Sequence, residues 1–581
     1  MKRTFRTLDE TYRLLAVARG EAPPDLLIAG GEVLNVYSGE VYPAVVATSG
    51  GRIAYVGTHP IPPGPATTVI DARGRLAVPG YIDPHAHPMA LVTPVAFARA
   101  VLPRGTTAVV ADTLLLLGLL APERVRQVVA ALAALPCRFF WFLRLHAQTH
   151  DPEDSLVTDE RLGDLLALDD VRAVGELTRW PQVYAGDPAL LTRMSRGLAA
   201  GRRVEGHAPG VSGDRLQVLA AAGISSDHEA ISADQALDRL RAGLYVMLRH
   251  GSLRADLPAL AAATTLRASS GRLMLTPDGP DPVFIHSKGY MDHLVDLAIR
   301  LGIEPAAAYQ MATVNPATYY SLDEELGGLA PGRRADILLL EGIARPQPQT
   351  VVAGGQVVAA DGRLVADVPD LPWEAWVRPY TPGPWRPDPS VFALDGMPSP
   401  APAMHLENAV IASRRDVALD REPPPGVLRL ILLDPAGRWR CRALLSGFAD
   451  DLGGLASTWT TGAGMYVIGR RPRDMAAAAS RVLDLGGGIV WAEDGLVRFE
   501  LPLPLGGKMS PDSVVDVAAA VETLTALLRA RGYRHQDLTY TLLFLGFDSL
   551  PYLRLTYRGV WDVLAGQVLL PREVLAGDAK R

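Results

Sequence analysis

Residues 78–87 read Val-Pro-Gly-Tyr-Ile-Asp-Pro-His-Ala-His, an apolar run that ends in two histidines one residue apart. If residues 81–87 are extended, His85 and His87 point to the same face, because side chains alternate along a strand. Two neutral imidazoles that converge at the end of a strand can bind one divalent cation. An ordinary pair of surface histidines is the alternative, so the interpretation depends on the rest of the chain.

The composition is that of an ordinary globular protein of 581 residues, with 48% hydrophobic and 21% charged residues. This length predicts about three or four domains, or fewer if one is a large barrel. A net charge of -6 argues against a dedicated nucleic-acid binder, which usually has a basic domain. The two cysteines, Cys137 and Cys441, exclude a disulfide framework and suit a reducing cytoplasm. The N-terminus has no apolar signal segment and no apolar run is long enough to span a bilayer, so we expect a cytoplasmic protein without a membrane partner.

Residues 79–320 alternate short apolar strands with amphipathic helices. The strand candidates are GYIDPHAH, TAVVADT, RFFWFLRLH, VRAVGEL, RRVEGHA, GISSDHE, LYVMLRHG and RLMLTPDG. Eight strands with helices between them, in about 240 residues, predict an α/β fold of the (β/α)8 barrel type. A doubly wound open sheet is the alternative, but no glycine-rich phosphate fingerprint follows the first strand.

Two β-rich segments, residues 25–70 and 335–365, flank the predicted barrel and contain Gly-Gly and Ser-Gly breaks typical of hairpins. We expect residues 1–78, with a helix over residues 1–20, to form a composite β-sandwich domain with residues 321–400. Proline-rich stretches between residues 345 and 402 are interpreted as connectors. The predicted C-terminal α/β (α+β) domain covers residues 401–581. It contains a helix near residues 474–485 and a long helix that opens with a Ser510-Pro511-Asp512 cap signal.

Side chains that commonly bind metals stand at the ends of the predicted barrel strands. They are His85, His87, Glu176, His207, His228 and Asp278. A barrel gathers its strand ends on one face, where active sites lie. Imidazoles and carboxylates suit Mn, Fe or Zn, so the set predicts a site for one or two divalent ions. Glu176 has two oxygens with which to bridge two metals, and Asp278 is the candidate to carry a proton from metal-activated water to the leaving group.

These residues and their surroundings resemble the adenine deaminase family of the metal-dependent amidohydrolase superfamily. PGYIDPHAH, PVAFARAVLPRGTTAVVAD, EGHAPG and AAGISSDHE are similar to that family's segments in the same order. ELPLPLGGKMS at residues 500–510 resembles its C-terminal domain, so the resemblance runs from about residue 20 to 570. It implies a hydrolase with a small-molecule substrate, in which a metal-activated hydroxide attacks C6 of adenine, or of a related amino-heterocycle, and releases ammonia.

The resemblance also implies roles for individual residues. The implied metal ligands are His85, His87, His207 and His228. Glu176 stands where many relatives have a carboxylated lysine that bridges two metals. Asp278 would bind metal and shuttle protons, and Glu229 matches an acidic position that faces the substrate.

Four stretches depart from the family's pattern. Pro88-Met89-Ala90 stands where the family usually has Glu-Ser-Ser, and Asp112-Thr113-Leu114-Leu115 where it has Asp-Pro-His-Glu. Residues 460–464 read Thr-Thr-Gly-Ala-Gly in place of His-Asp-Ser-His-Asn, and Pro277 precedes Asp278 where two acids are usual. Each replaced group is polar, so specificity should change strongly. The metal-binding residues agree with the family, whereas the residues around the substrate differ.

Two other functions therefore stay open: an amidohydrolase that opens a cyclic amide with the same metals, and a non-catalytic binding homologue. A homo-oligomer is compatible with a chain of this size, but no feature fixes its symmetry. His146 and His150 follow the third strand and face either the pocket or a solvated loop. We expect Arg179 and Trp180 to pack under a loop rather than grip a planar substrate. The remaining histidines are assigned no role in the site.

Overall fold

The computed structural model describes residues 7–149, 156–265, 270–380, 383–462 and 464–575. At its centre is a parallel eight-stranded sheet whose strands neighbour one another in chain order. Barrel strands 1 to 8 are Tyr81–Ala86, Thr106–Asp112, Arg138–Leu143, Val171–Leu177, Arg203–Gly206, Ser226–Asp227, Tyr245–Arg249 and Leu273–Thr276. Thr276 in strand 8 donates a hydrogen bond to Asp83 in strand 1 at 2.8 Å, which nearly closes the sheet into a barrel. The (β/α)8 prediction is confirmed and the open-sheet alternative is wrong.

The barrel strands form where apolar residues run without interruption. All seven residues of Thr106–Asp112 are buried, as expected of a parallel strand covered on both faces. Helices surround the strands, with apolar faces against the sheet and polar faces outward. They are Pro94–Val101, Leu114–Leu119, Pro122–Ala133, Asp159–Leu166, Trp180–Tyr184, Pro188–Ala199, Gly213–Ala221, Ala233–Arg241, Leu257–Leu260, Ala262–Thr265, Pro282–Ser287, Met291–Arg300, Pro305–Met311 and Val314–Tyr319.

The two flanking β segments join in one nine-stranded sheet, as the sequence predicts. Its strands are Leu26–Asn35, Glu40–Ser49, Arg52–Gly57, Thr68–Asp71, Leu76–Pro79, Ile337–Leu340, Thr350–Ala353, Gln356–Ala360 and Arg363–Leu364. The segments meet where Leu76–Pro79 pairs antiparallel with Ile337–Leu340. The helix Leu8–Ala18 precedes this sheet. Leu76–Pro79 leads directly into barrel strand 1, so this sheet fixes the entry to the barrel.

The C-terminal region is built on a second nine-stranded sheet. Its strands are Ala401–Leu406, Ala412–Val417, Val427–Leu433, Trp439–Ser446, Gly454–Ser457, Met465–Gly469, Gly488–Glu493, Leu496–Pro502 and Glu573–Val574. A three-stranded sheet follows in Leu553–Thr556, Gly559–Asp562 and Gln567–Pro571. The helices are Trp373–Trp376, Pro472–Asp484, Val514–Arg529 and Leu538–Leu543. Met509–Ser510 pairs with Leu91–Val92, just after barrel strand 1, and thereby ties this region to the barrel.

Two local predictions differ from the structure. The long C-terminal helix begins at Val514 and is capped by the Ser513 side chain, because Ser510 is already paired in a strand. The proline-rich stretch is not only a connector, since it contains the buried side chains of Trp373 and Phe392. None of the helices in the described part of the chain is long and apolar enough to cross a membrane. The proposed domain boundaries stay a prediction.

Candidate metal centre

The six predicted metal-binding side chains lie at or just beyond the C-terminal ends of barrel strands, on one face of the barrel. Groups whose ligand atoms lie within 4.8 Å of one another are His85, Glu176 and His228; His85, His87 and Asp278; and His207, His228 and Glu229. Because these groups share members, the structure brings all six predicted residues into one cluster, with Glu229 beside them.

The His85 ring is fully buried and is oriented for a ligand. Its Nδ1 lies 2.9 Å from Oε2 of Glu205, and the Tyr320 hydroxyl donates to the other oxygen of Glu205 at 2.5 Å. Its Nε2 is buried without a hydrogen-bond partner among the described residues and lies 3.4 Å from Oδ1 of Asp278. Burial holds the pKa of His85 well below its usual range, so the ring is neutral. We assign the ring proton to Nδ1, which leaves a lone pair on Nε2 as in metal-bound histidines. The residues therefore fit a divalent cation.

A buried arginine, Arg144, holds two carboxylates on one side of the cluster. Its guanidinium donates to both oxygens of Asp112, at 2.9 and 2.7 Å, and to Oε2 of Glu176 at 2.6 Å. Burial acts to raise the pKa of Glu176, but the charges of Arg144 and His207 outweigh it and hold this pKa well below its usual range. Glu176 is therefore ionised, with Oε1 left to face the histidines.

A second buried arginine, Arg249 in barrel strand 7, holds the opposite pair of carboxylates. It donates to Oε1 of Glu229 at 2.5 Å and to Oδ2 of Asp278 at 2.7 Å. Burial acts to raise the pKa values of both carboxyl groups. The charge of Arg249 outweighs burial at Glu229 and lowers its pKa. The charges of His228 and Arg249 outweigh burial at Asp278 and hold its pKa well below the usual range. Asp278 keeps Oδ1 directed at the histidines while Oδ2 is fixed.

His87 and His207 lie against these carboxylates. His87 places Nδ1 3.3 Å from Asp112 and Nε2 3.3 Å from Asp278, and His207 contacts Glu176 through Nδ1. Burial acts to lower their pKa values, but the carboxylates outweigh it and raise the pKa of His87 to about 10 and that of His207 to about 9. A divalent cation takes the place of such protons, because it interacts with the same carboxylates and needs the neutral imidazoles.

The backbone at Asp278 is held in an uncommon conformation. Asp278 has a φ of 52°, in the left-handed region, and its amide donates to the Thr276 hydroxyl at 3.1 Å. A residue other than glycine rarely adopts this conformation unless its surroundings impose it, and such residues cluster at functional sites. The Thr276 hydroxyl is fixed by Asp83 and by the carbonyl of His85. The turn therefore positions the Asp278 carboxylate relative to His85.

His146, Arg179 and Trp180, which the sequence also singled out, contact backbone carbonyls or the apolar core. His146 places Nδ1 2.8 Å from the carbonyl of Ala147, and His150 lies outside the described residues. Arg179 donates to the carbonyl of Thr149 at 3.1 Å, and Trp180 packs against the apolar core. The expectation that Arg179 and Trp180 pack under a loop agrees with these contacts.

A cavity of about 540 Å³ lies over the cluster. The side chains of His87, Glu176, His207, Glu229 and Asp278 line its polar end. The stretches that depart from the family's pattern line it as well: residues 88–90, Leu114, Leu115 and residues 460–462, whereas Ala463 lies outside the described residues. Leu114 and Leu115 are only half-buried and face the cavity, although the leucine-rich run to which they belong is typical of buried core.

The C-terminal region closes the cavity from the opposite side. It contributes Trp459, Tyr540, Phe544, Phe547 and Leu550 to the lining. Lys508 also lines the cavity, but its ammonium group donates to the carbonyls of residues 458 and 460 at 2.7 and 2.8 Å. Lys508 therefore fixes the segment that replaces the family's His-Asp-Ser-His-Asn.

Sequence reasoning missed four members of the site. Asp112, Arg144 and Arg249 stand at the ends of strands 2, 3 and 7, the three strand ends to which no role was given, and Glu205 stands two residues before His207. The two arginines could have been noticed because each is a charged residue at the end of an apolar strand. Glu205 carried no separate signal, because its contact with His85 joins residues from opposite parts of the barrel.

Comparison with known proteins agrees with this geometry. The model of the amidohydrolase family matches residues 76–358, and that of the adenine deaminase C-terminal domain matches residues 405–567. An adenine deaminase of Moorella thermoacetica is 34% identical, over 97% of this chain and 98% of that protein. A protein of Halalkalibacterium halodurans, provisionally named adenine deaminase, is 35% identical over 97% of this chain and 98% of its own length. An adenine deaminase of Cenarchaeum symbiosum is 34% identical over 95% of this chain and 93% of its own length. The chain therefore belongs to the adenine deaminase family within the amidohydrolases, which are hydrolases that depend on a divalent metal.

Proposed function

We propose that this protein hydrolyses the exocyclic amino group of adenine, or of a related amino-heterocycle, and yields hypoxanthine and ammonia from adenine. The observation that carries the proposal is the buried His85 Nε2, which has no hydrogen-bond partner among the described residues and faces Asp278 at 3.4 Å within a cluster of imidazoles and carboxylates. A buried nitrogen of this kind suits a metal ligand, because leaving it unpaired is otherwise unfavourable.

The proposed ligands are His85, His87, Glu176, His207, His228 and Asp278. Nitrogen and oxygen donors without thiolates suit Mn, Fe or Zn. Such an ion, when bound, supplies a water nucleophile near neutral pH and polarises the ring that is attacked. One ion or two fit the overlapping groups of ligand atoms.

In this proposal Asp278 holds and moves the proton. Its Oδ1 lies 3.3 Å from His87 Nε2, while Oδ2 accepts the hydrogen bond of Arg249, so the carboxylate has a fixed position. The oxygen of water forms a bond to the ring carbon, and Asp278 accepts a proton from that water. The carbon–nitrogen bond then breaks, and the proton passes from Asp278 to the leaving nitrogen, which departs as ammonia.

Glu229 is proposed to orient the ring. It lines the cavity beside Asp278, and Arg249 holds both carboxylates from behind. A carboxylate in this position can pass the second proton of the attacking water to the ring nitrogen, where it stays in the product, and can then accept a hydrogen bond from that N–H. Orientation of this kind lowers the barrier because the reacting atoms are held in place before the reaction.

The test is metal analysis of the purified protein followed by assays of ammonia release from adenine. Bound metal with turnover of adenine or another amino-heterocycle supports the proposal. Bound metal with opening of cyclic amides and no ammonia release would favour the other amidohydrolase reaction instead. Absence of bound metal and of any turnover after supplementation with Mn or Fe would leave a binding homologue.

The proposal also covers the domain organisation, the location and the partners of the protein. Residues 1–78 with 321–400, residues 79–320 and residues 401–581 form the composite, barrel and C-terminal domains. The protein works in the cytoplasm, where its two buried free cysteines stay reduced. It acts on a small molecule, without a nucleic-acid or membrane partner, and a homo-oligomer is tested by its mass in solution.

A further inference from the structure

Apolar side chains make up much of the cavity wall beyond the metal-binding residues. The helix Leu114–Leu119 contributes Leu114, Leu115 and Leu117 from the barrel side. The C-terminal region faces them with Phe544 and Phe547. Apolar side chains that line a cavity beside a catalytic centre favour an apolar ligand, because its burial releases water from both surfaces.

The size of the cavity exceeds that of a bare purine base. Its volume of about 540 Å³ lies within the range of pockets that bind drug-sized ligands. Adenine is much smaller than a drug-sized ligand. A second group on the substrate would therefore fit beside the heterocycle.

The charges that border the cavity argue that this second group is uncharged. Arg144 and Arg249 are bound to the carboxylates described above, and Arg254 lies 3.2 Å from Asp256. The ammonium group of Lys508 donates to carbonyls of the protein. Each of these cations thus already has a partner, which disfavours the phosphate of a nucleotide as the additional group.

Hydroxyl groups are disfavoured as well, because sugar hydroxyls against Leu and Phe walls would lose their hydrogen bonds with water. Two polar atoms in the lining, Gln148 Oε1 and Thr461 Oγ1, are buried and have no hydrogen-bond partner among the described residues. They are enough to recognise ring nitrogens of one heterocycle, but they do not suit a ribose with several hydroxyls.

We infer that the substrate is an amino-heterocycle that carries a neutral apolar substituent, which lies between the helix Leu114–Leu119 and residues 543–550. The inference rests on the proposed deamination and specifies its substrate class. Apolar burial supplies the binding free energy, and Gln148 and Thr461 orient the ring. Bare adenine, adenosine and AMP would then be poorer substrates than an alkylated or arylated aminopurine.

The experiment compares kcat/KM for adenine, adenosine, AMP, 9-benzyladenine and N6-benzyladenine with the metal-loaded protein. We expect one of the benzyl compounds to exceed adenine by at least about tenfold, the discrimination that a well-filled apolar pocket supplies. The two benzyl compounds distinguish a substituent on the ring from one on the leaving nitrogen. Adenine as the best substrate in the set would overturn the inference and leave the proposed reaction standing.

A cavity-filling variant tests the location of the substituent. Gly118 lines the cavity, and among the described residues a Cβ added there would meet nothing nearer than Leu156 Cδ1 at 3.9 Å, so we expect the side chain of Gly118→Phe to extend into the cavity. We expect Gly118→Phe to lower kcat/KM for the preferred benzyl compound by about tenfold or more, with unchanged metal content and little change for adenine. Gly118→Ala and the exposed Val218→Ser are the matched controls. Equal losses for both substrates would overturn the assigned location.

A binding measurement separates this inference from the proposed reaction. Titration with hypoxanthine, 9-benzylhypoxanthine and inosine needs no turnover. Tighter binding of 9-benzylhypoxanthine without any ammonia release would support the apolar pocket and refute the proposed deamination. Turnover of adenine with equal binding of all three compounds would support deamination and refute the apolar substrate class.

Discussion

Replacement of Arg249 by methionine should destabilise the protein, and the loss of stability should be smaller in mild acid than at pH 7. The Arg249 side chain is 4% exposed, and it donates to Glu229 and Asp278, which are 4% and 14% exposed. Removing one partner of a buried ion pair leaves an unpaired charge and costs about 3–5 kcal/mol. Because Asp278 is partly exposed, we expect the free energy of unfolding at pH 7 to fall by about 3 kcal/mol, the lower end of this range. For a barrel of this size, that corresponds to a fall in Tm of about 6 °C.

The pKa of Glu229 determines how the stability of the variant changes with pH. In the folded wild type the pKa of Glu229 is lower than in the unfolded chain. The ionised Glu229 therefore stabilises the folded state above its unfolded-state pKa, and this stabilisation is lost only as the pH falls through the folded-state pKa. Without Arg249 the effect of burial is no longer outweighed by that charge, and the folded pKa of Glu229 rises. A higher folded pKa makes the change from pH 7 to pH 5 more favourable to the folded state, so the Tm of the variant relative to that of the wild type should rise between pH 7 and pH 5.

The assay is thermal unfolding of the metal-free proteins at pH 7 and at pH 5. Arg300→Met is the matched control, because Arg300 forms an exposed ion pair with Asp296 on a helix and its loss should cost no more than about 0.5 kcal/mol. An Arg249→Met protein that unfolds at the temperature of the control, or whose Tm deficit relative to the wild type is as large at pH 5 as at pH 7, would refute the role of Arg249 as the counter-charge.

Three other predictions concern the metal centre. Glu205→Leu removes the hydrogen-bond partner of His85 Nδ1 and should weaken metal affinity by about 10–100-fold, measured by competition with a chelator; unchanged affinity would contradict the role given to Glu205. Asp278→Asn should lower kcat by at least about 100-fold and leave hypoxanthine binding measurable by calorimetry, whereas full activity would remove Asp278 from proton transfer. Chelation of the metal should lower Tm, by the equivalent of about 2.7 kcal/mol if the free ion had been at a hundred times its Kd, and Mn should restore it; an unchanged Tm would contradict metal binding by the folded state.

The barrel and the positions of its ligands follow from local sequence patterns. Most barrel strands are buried on both faces and appear as short apolar runs, so the first polar residue after the run marks the strand end. Asp112, which closes strand 2, follows that rule directly. The rule also applies to Arg144 and Arg249, but arginine is not a metal ligand, and its role appears only when the carboxylates of neighbouring strands are seen around it.

Contacts between distant segments could not be predicted in this way. Met509–Ser510 pairs with Leu91–Val92 through only two residues on each side, which is too short for a recognisable strand pattern. The run from Leu114 to Leu119 reads as core because every residue except Gly118 is leucine. The sequence does not reveal that one side of this short helix faces a cavity, since the opposite wall comes from the C-terminal region.

The same architecture explains why the metal centre agrees with the family and the surroundings of the substrate do not. The predicted ligands lie at strand ends, where the hydrogen-bonded sheet fixes their backbone, so a change there would disturb several neighbours at once. Leu114 and Leu115, by contrast, begin the helix that follows strand 2, and residues 460–462 belong to a loop of the C-terminal region. Segments outside the sheet tolerate substitution because fewer contacts depend on them. Substitutions in these segments can therefore alter the cavity wall while the side chains at the strand ends keep their positions.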